Sequence, residues 1–241
     1  MLKQLLSVFL ESSCAFCQRC TGNTLCEYCL QKLSSHQLSK NDRLKLHHEK
    51  SVFAWGKYDG QLKRAIALMK YDRKPEIGDL LGKLMGKAWL ESTLVKQKLS
   101  VIPIPLHHQK VKERGFNQAE VIARGFCQST GYELNPQALV RTRNTKAMFD
   151  LKTIAERANN LQDAFHVGHK LPRSSVLIVD DIYTTGTTVM ESVKVLQQNQ
   201  IKVVGVAVAA KAGKQNLDVA KSKPIKPQRL ARLFSSRANC Y

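Results

Sequence analysis

The stretch Val176-Leu-Ile-Val-Asp-Asp-Ile-Tyr-Thr-Thr-Gly-Thr-Thr188 decides the fold class of this chain. Its first four residues form an apolar run without a polar face, which is typical of a β-strand that is covered on both sides. A helical pattern follows over residues 189–196, and residues 201–209 indicate a second strand. Strand, helix and strand of these lengths form a βαβ unit, whose right-handed crossover implies a parallel sheet. The sequence therefore predicts an α/β fold.

The patterns before this unit extend the same fold toward the N-terminus. Residues 52–58 indicate a strand, and residues 101–105 indicate a strand that ends in a rigid loop, because proline fixes φ and lacks an N–H for the ladder. Apolar residues at helical spacing predict three more helices. Their apolar faces carry Leu62, Ala65, Ile66 and Met69; Ile77, Leu80, Leu81, Leu84 and Ala88; and Ala119, Ile122, Ala123 and Phe126. The segment Gly82-Lys-Leu-Met-Gly-Lys87 lacks Walker spacing and is predicted to be a solvated helix face.

The composition bounds the class of protein and of partner. The 241 residues are enough for one or two domains, and the 43% of hydrophobic residues exclude a wholly disordered or collagen-like chain. Lys and Arg total 38 against 19 Asp and Glu, so the net charge is +19. That charge attracts polyanions, which leaves nucleic acid, an anionic membrane surface and phosphorylated small molecules as candidates.

Three zones of different composition follow one another along the chain. We expect a Cys-rich head over residues 1–50, a periodic body over 51–210 and a basic tail over 211–241. The tail carries eight Lys or Arg against one acid, Asp218, and its composition predicts a mobile segment. A short basic helix formed on contact with a partner and a solvated tail without function are both consistent with it.

Five of the seven cysteines lie within sixteen residues. Cys14-x2-Cys17 and Cys26-x2-Cys29 are two thiolate pairs, and a pair at that spacing can place both sulfurs on one metal. Four thiolates predict a closed, structural zinc site with no position left for water. Two alternatives stay open: Cys20 could replace Cys17, or the cysteines could be reduced and unliganded in a small helical cap.

The same cysteines and the apolar stretches indicate the cellular compartment of the protein. An odd number of clustered cysteines does not fit a disulfide framework, and the longest apolar stretches fall far short of the roughly 18 residues that a transmembrane helix needs. The apolar start of the chain fits an amphipathic helix, with Leu2, Leu5, Leu6 and Phe9 on one face, better than a secretory signal. We expect a cytoplasmic protein.

Asp180 and Asp181 are adjacent carboxylates at the carboxyl end of the buried strand, where open α/β sheets bind ligands. A turn of four hydroxyl side chains and one glycine follows. Hydroxyls donate hydrogen bonds, glycine permits close approach, and the N–H groups of a helix N-terminus point at the same place. The pattern predicts a phosphate-binding turn with acceptors for ribose hydroxyls beside it. The turn residues are Thr184, Thr185, Gly186, Thr187 and Thr188. The alternative, a plain turn with a threonine N-cap, needs one threonine and leaves the two carboxylates unexplained.

Residues 176–188 resemble the phosphoribosyl pyrophosphate signature of type I phosphoribosyltransferases, with four apolar residues, two acids and a Thr/Gly loop. The rest of the chain resembles the ComF family, which is associated with DNA uptake in natural transformation. The segments that carry this resemblance are the Cys-x2-Cys pairs, Ile102-Pro-Ile-Pro-Leu106, Arg114-Gly-Phe-Asn-Gln118 and Arg157-x2-Asn160-x4-Phe165. The resemblance covers about residues 1–210 and implies a type I phosphoribosyltransferase-like parallel sheet with helices on both faces, preceded by a small zinc-binding head.

The resemblance also implies roles for individual residues. Asp180 and Asp181 would accept hydrogen bonds from the ribose 2- and 3-hydroxyls, and residues 184–188 would bind the 5-phosphate. A magnesium ion would be coordinated by pyrophosphate and ribose oxygens rather than by a full set of protein ligands. In an active transferase, a nucleophile displaces pyrophosphate from ribose C1, and nearby carboxylates stabilise the cationic transition state. The cations implied to face the pyrophosphate, on the loop after Pro105, are Lys110, Lys112 and Arg114.

A mobile hood loop between the two substrate sites is implied as well. Its cations would be Arg141, Arg143, Lys146 and Arg157. Where a glutamine is expected, near Lys146, this chain carries Met148-Phe149-Asp150, and no residue identifies an acceptor base or amine.

Two functions follow from these features. The first is a ComF-like role in DNA uptake, with a pocket that binds phosphoribosyl pyrophosphate and a basic surface that contacts single-stranded DNA beside a DNA-uptake helicase or channel protein. The second is an active phosphoribosyltransferase that transfers a pentosyl group to a small nitrogenous acceptor. The net charge of +19 and the basic tail favour the DNA-uptake role, whereas the intact signature at 176–188 favours the transferase or a mixture of the two. We expect the first function, with turnover left open.

Overall fold

The computed structural model of the chain describes residues 13–47, 50–93, 97–143 and 164–213. The predicted N-terminal helix, most of the predicted hood loop and nearly all of the basic tail lie outside these residues.

Seven helices and eight strands make up the described part of the chain. The helices are α1 (Glu27–Ser34), α2 (Lys40–Arg43), α3 (Gly60–Tyr71), α4 (Pro75–Ser92), α5 (His108–Arg114), α6 (Gln118–Thr130) and α7 (Thr187–Gln198). The strands are β1 (Leu44–His47), β2 (Lys50–Lys57), β3 (Ser100–Pro103), β4 (Glu133–Leu134), β5 (Leu139–Arg141), β6 (Phe165–Val167), β7 (Val176–Tyr183) and β8 (Val203–Lys211). Helices α3, α4, α6 and α7 and strands β2, β3, β7 and β8 confirm the elements predicted from periodicity.

The main sheet has six strands in the order β1-β2-β8-β7-β3-β4. Strands β2, β8, β7, β3 and β4 pair in parallel, whereas β1 pairs antiparallel with β2. Strands β5 and β6 form a separate antiparallel pair. After β3 the chain moves to β4 on one side, and after β7 it moves to β8 on the other side. The strand order therefore reverses between β3 and β7, which is where open α/β sheets bind ligands at the carboxyl ends of their strands.

Helices cover both faces of this sheet. Leu177 and Val179 of β7 belong to a core that also includes residues of α3, α4 and α6. Val176 and Ile178, the alternate residues of the same strand, belong to a second core with Val193 of α7. Because successive side chains of a strand point to opposite faces, an apolar run without a polar face fits a strand that is buried on both sides. The predicted α/β fold class is confirmed.

The head packs against the body through apolar and polar contacts. Phe16, Leu25 and Leu33 lie in the same core as α3 and α4. The Arg64 guanidinium of α3 donates a hydrogen bond to the Phe16 carbonyl at 2.6 Å and lies over the Phe16 ring. Strand β1 also joins the main sheet. The division into a head, a body and a tail stays a prediction.

Helices α4 and α6 approach each other closely at glycines. A Cβ atom on Gly82 would lie 2.0 Å from the Ile122 carbonyl oxygen, and one on Gly125 would lie 2.2 Å from the Asp79 carbonyl oxygen. The prediction of a solvated face over 82–87 is therefore wrong for the glycines, since Gly82 and Gly86 are buried, and right for the exposed Lys83 and Lys87.

Candidate functional site

Asp180 and Asp181 lie near the carboxyl end of β7, beside the point where the strand order reverses. Asp180 is half-buried, and Asp181 is buried, with 5% of its surface exposed. The Asp181 N–H donates to Asp180 Oδ1 at 2.8 Å. Lys70 Nζ, from the last turn of α3, lies 2.5 Å from Asp181 Oδ2. The two adjacent carboxylates therefore have different partners.

Burial, followed by the charge of Asp181, raises the pKa of Asp180 to about 7. The Asp181 N–H and the cations Lys70 and Arg141 act in the opposite direction. A carboxyl group with such a pKa changes its charge near neutral pH, whereas an ordinary aspartate titrates near pH 4. The site therefore holds a carboxyl group whose charge varies over the pH range in which most proteins work.

The turn after β7 is shaped by one glycine in the left-handed region. Gly186 has φ +80 and is the N-cap of α7, without a side-chain cap bond. A Cβ atom there would lie 2.2 Å from the Tyr183 hydroxyl, so only glycine fits both the φ and the space. The Thr185 and Thr187 hydroxyls lie 2.8 Å apart and share a hydrogen bond. A threonine N-cap, the plain alternative for this turn, does not occur.

This turn and the first carboxylate line one shallow depression. The lining residues include Asp180, Thr184, Gly186, Thr187 and Thr188. The N-terminus of the 12-residue helix α7 lies at the same place, where unpaired backbone N–H groups and the helix dipole favour an anion. The structure thus brings one of the two predicted hydroxyl acceptors, Asp180, together with the predicted donors for a phosphate, whereas Asp181 does not line the depression.

The predicted cations after Pro105 lie on helix α5 and not on a loop. The helix begins after His107, whose Nδ1 accepts from the Gln109 N–H, and ends at Gly115, which has φ +85. Arg114 lies close enough to Lys70 for its charge to act on that ammonium. Lys110 is half-buried and Lys112 is exposed on the same helix.

Arg141 is the hood cation that the structure brings to the carboxylates. It lies at the end of β5, its guanidinium lies 5.5 Å from the centre of the Phe165 ring, and its charge acts on Asp180. Arg143 is exposed. Lys146 and Arg157 lie outside the described residues, as does the segment 148–150.

Lys70 is the site residue that the sequence analysis missed. Burial alone would lower its pKa, but the charges of Asp181 and Asp180 raise the pKa above the ordinary value. Leu62, Ile66 and Lys70 follow one another at a spacing of four on α3, so the lysine continues an apolar stripe. A charged residue on a buried helix face needs a partner of opposite charge, and this signal could have identified Lys70.

Asn117 lies in the segment Arg114-Gly-Phe-Asn-Gln118, but the sequence did not predict which groups its side chain contacts. Its Oδ1 accepts from the Ala119 N–H and caps α6, while its Nδ2 donates to the Ile104 carbonyl at 3.0 Å. Because the Ile104 N–H also donates to the Val179 carbonyl, this asparagine fixes the segment after β3 beside the strand that carries the carboxylates.

The four cysteines of the two predicted pairs meet in the head. Their Sγ atoms all lie within 4.8 Å of one another, and Cys17 Sγ and Cys26 Sγ are 3.7 Å apart. A tetrahedral site with Zn–S bonds of about 2.3 Å places its sulfurs roughly 3.8 Å apart. Burial opposes ionisation of Cys14, but N–H donors, including that of Cys26 at 3.3 Å, lower its pKa to about 6. The cluster of Cys14, Cys17, Cys26 and Cys29 therefore fits zinc, and Cys20 is not part of it.

None of the helices in the described ranges is long and apolar enough to cross a membrane.

Comparisons with known proteins agree with the resemblance noted in the sequence. Residues 111–226 match the family model of the phosphoribosyl transferase domain. The DNA utilization protein YhgH of Escherichia coli O157:H7 is 28% identical over 199 residues, which cover 80% of this chain and 87% of that protein. The competence protein ComFC of Streptococcus pneumoniae is 27% identical over 195 residues, which cover 80% of this chain and 78% of that protein.

Among solved structures, a phosphoribosyltransferase from Corynebacterium diphtheriae is 19% identical and has a TM-score of 0.39, with 80% of this chain and 89% of that chain covered. The family match spans the turn at 184–188 and both carboxylates, and the two relatives align with most of the chain. The chain is therefore similar to a DNA utilization protein and a competence protein, and its residues 111–226 match a phosphoribosyl transferase domain.

Proposed function

We propose that this protein binds phosphoribosyl pyrophosphate at the carboxyl edge of β7 and takes part in DNA uptake. One observation carries the first part: Asp180 and Asp181 lie directly before a Thr/Gly turn that opens α7 at the point where the strand order reverses. A phosphorylated ribose needs both hydrogen-bond acceptors for its hydroxyls and donors for its phosphate. This edge of the sheet offers both within one short segment.

Each part of the ligand has candidate partners in the described residues. The 5-phosphate binds the backbone N–H groups and hydroxyls of 184–188, because a helix N-terminus favours an anion. The ribose 2- and 3-hydroxyls donate to the carboxylates of Asp180 and Asp181. The pyrophosphate faces the cations of α5, of which Arg114 lies close enough to Lys70 for its charge to act on that ammonium. Magnesium, when bound, neutralises charge on the pyrophosphate and is held mainly by ligand and water oxygens.

Isothermal titration calorimetry with phosphoribosyl pyrophosphate and magnesium tests this site. The wild type should release or absorb heat on binding, and Asp180→Asn with Asp181→Asn should abolish the signal without unfolding the protein. Asp42→Asn is the matched control, since Asp42 is an exposed aspartate on α2, directly before β1, which lies three strands from β7 in the sheet. A wild type without binding heat at millimolar ligand contradicts the proposal.

Turnover is a second candidate function, favoured by the match of residues 111–226 to the transferase domain. In that reaction the bond between ribose C1 and the pyrophosphate oxygen breaks, a C1–N bond to the acceptor forms, and the acceptor nitrogen loses a proton. Carboxylates near C1 stabilise the developing positive charge. Release of pyrophosphate from phosphoribosyl pyrophosphate, measured with ammonium and a panel of nucleobases, tests it against protein-free and Asp180→Asn controls.

The role in DNA uptake rests on the relatives and on the charge. One relative is named a competence protein and another a DNA utilization protein. The net charge of +19 provides a sequence-independent attraction for the phosphates of single-stranded DNA. DNA-uptake helicases or channel proteins are the proposed protein partners, and the clustered thiols fit a reducing, cytoplasmic location.

Zinc in the head is the last part of the proposal. Cys14, Cys17, Cys26 and Cys29 provide four thiolates, so the site is closed and the metal serves to hold the head together. The head contributes Phe16, Leu25 and Leu33 to the core around α3. The metal would therefore stabilise the segment that contributes these residues to the core.

A further inference from the structure

A buried ion pair lies directly beneath the proposed ligand site. Lys70 Nζ is 2.5 Å from Asp181 Oδ2, and the two side chains are only 15% and 7% exposed. A lysine and an aspartate held this far from water lose much of their hydration, which is unfavourable for each ion. Such a pair is weak support for stability, because apolar residues of the same volume often serve as well. Its position at the candidate site suggests another use.

The groups around this pair show what its charge does. The facing groups are Tyr58 after β2, Arg114 of α5, Arg141 of β5 and Asp180 of β7. The two carboxylates are adjacent in the chain, and like charges this close resist ionising together. Lys70 supplies a positive charge at hydrogen-bonding distance from one of the two carboxylates.

We propose that Lys70 is a positioning residue of this site: its ammonium pairs with Asp181, holds that carboxylate in place and supplies a positive charge beside Asp180, which accepts a ribose hydroxyl. This inference rests on the proposed binding of phosphoribosyl pyrophosphate. Lys70 does not need to touch the ligand, because Asp181 Oδ2 already occupies its ammonium. The sugar is thus recognised by a set of three residues, of which one comes from α3, far from the signature in the chain.

The pH dependence of ligand binding separates this role from a purely structural one. For the wild type, affinity for phosphoribosyl pyrophosphate should rise with pH through the titration of Asp180. Lys70→Met removes the cation, so affinity near pH 7 should fall roughly tenfold or more and the midpoint of the pH profile should move up by about one unit. Lys70→Arg keeps the charge and should keep the wild-type midpoint. Lys63→Met, on the exposed face of the same helix, is the matched control and should change neither.

A second variant and an NMR measurement allow the role of Lys70 to be tested even if Lys70→Met does not fold. Lys70→Gln retains a polar side chain and replaces Lys70→Met if the latter does not fold, as judged by circular dichroism. Carbon-13 NMR of the aspartate carboxyls in the ligand-free protein reports the same shift without ligand. A raised pKa of Asp180 in Lys70→Met and Lys70→Gln, but not in Lys70→Arg, is the expected result.

The outcomes for the two proposals differ. If the wild type binds and Lys70→Met or Lys70→Gln binds equally well with an unchanged midpoint, the role of Lys70 is overturned while the proposed function stands. If affinity falls but neither the midpoint nor the carboxyl titration moves, Lys70 is a structural residue and the inference fails. If the wild type itself does not bind, the proposed function fails and the inference that rests on it fails with it.

Discussion

Asp180 and Asp181 are identical residues side by side in the chain, yet the fold gives them different surroundings. Asp181 is buried against Lys70, whereas Asp180 is half-buried and lines the depression beside the Thr/Gly turn. Burial and the neighbouring charge raise the pKa of Asp180 to about 7. Neighbours on a strand point to opposite faces, so a pair of adjacent acids can serve two purposes at one strand end.

We predict that Asp180→Asn raises the melting temperature at pH 8 by a few degrees. The folded-state pKa lies above the unfolded value, so the unfavourable burial of this carboxylate is fully present above pH 7 and is lost as the pH falls and the carboxyl takes up a proton. The gain should therefore shrink at pH 5, where the wild-type side chain is also neutral. Thermal unfolding of both proteins at the two pH values measures it. An equal difference at both pH values would contradict the assigned titration.

At the scale of elements, the contact between α4 and α6 brings two backbones together. Gly82 and Gly125 leave room for the Ile122 and Asp79 carbonyls, and each added Cβ would overlap one of these oxygens. Helix α6 begins at the Asn117 cap that fixes the segment after β3, so this contact also supports the ligand edge. Glycine is used here for close approach, not for an unusual φ.

Gly82→Ala should destabilise the protein by about 1–3 kcal/mol, because the added methyl group meets backbone that cannot move without separating the helices. Urea unfolding followed by circular dichroism measures the loss. Lys87→Ala, one turn further along the exposed face of α4, is the control and should change stability little. A Gly82→Ala variant as stable as the wild type would show that α4 and α6 can separate freely.

We also predict the zinc content of the cysteine head and its effect on stability. Purified protein should contain close to one zinc per chain, and Cys26→Ser should lose the metal while Cys20→Ser keeps it, because Cys20 lies outside the four-cysteine cluster. Metal analysis by mass spectrometry gives the stoichiometry. A chelator should also lower the melting temperature, since Leu25 and Leu33 of the head are part of the core. The reverse result for the two variants would overturn the ligand assignment.

At the scale of the whole molecule, the net charge of +19 attracts polyanions. We predict binding to single-stranded DNA without sequence preference and with a steep loss between low and moderate salt. Each phosphate neutralised on a single strand contributes about −0.7 to the slope of log affinity against log salt. Fluorescence anisotropy measures the slope, with heparin as the polyanion for comparison. Binding that is independent of salt, or absent at low salt, would rule out the DNA role.

Removing residues 214–241 tests the share of the tail in this binding. The deletion removes seven Lys or Arg and one Asp, a net +6, and it leaves β8 intact because that strand ends at Lys211. The salt slope should flatten, while binding of phosphoribosyl pyrophosphate should persist, since the candidate pocket residues all lie before residue 214. An unchanged slope would assign DNA binding to the body.

Short-range patterns in the sequence determined many of the helices and strands and part of the candidate site. Apolar periodicity predicted helices α3, α4, α6 and α7 and the central strands, and the segment 176–188 predicted both a doubly covered strand and the turn that follows. The paired Cys-x2-Cys spacing predicted a cluster of four sulfurs. These features can be predicted from the sequence because helix and strand periods and ligand spacing involve residues that are near one another in the chain.

The tertiary structure alone decided which distant residues meet. Lys70 pairs with Asp181, Arg114 lies on a short helix near that lysine, and Gly82 faces the backbone of α6. A buried charge indicates that a partner exists, but the identity of the partner depends on how the sheet and helices bring separated segments together. The sequence determined the central parallel strands, the turn and the cluster of four cysteines, whereas the fold determined the charges that surround the carboxylates.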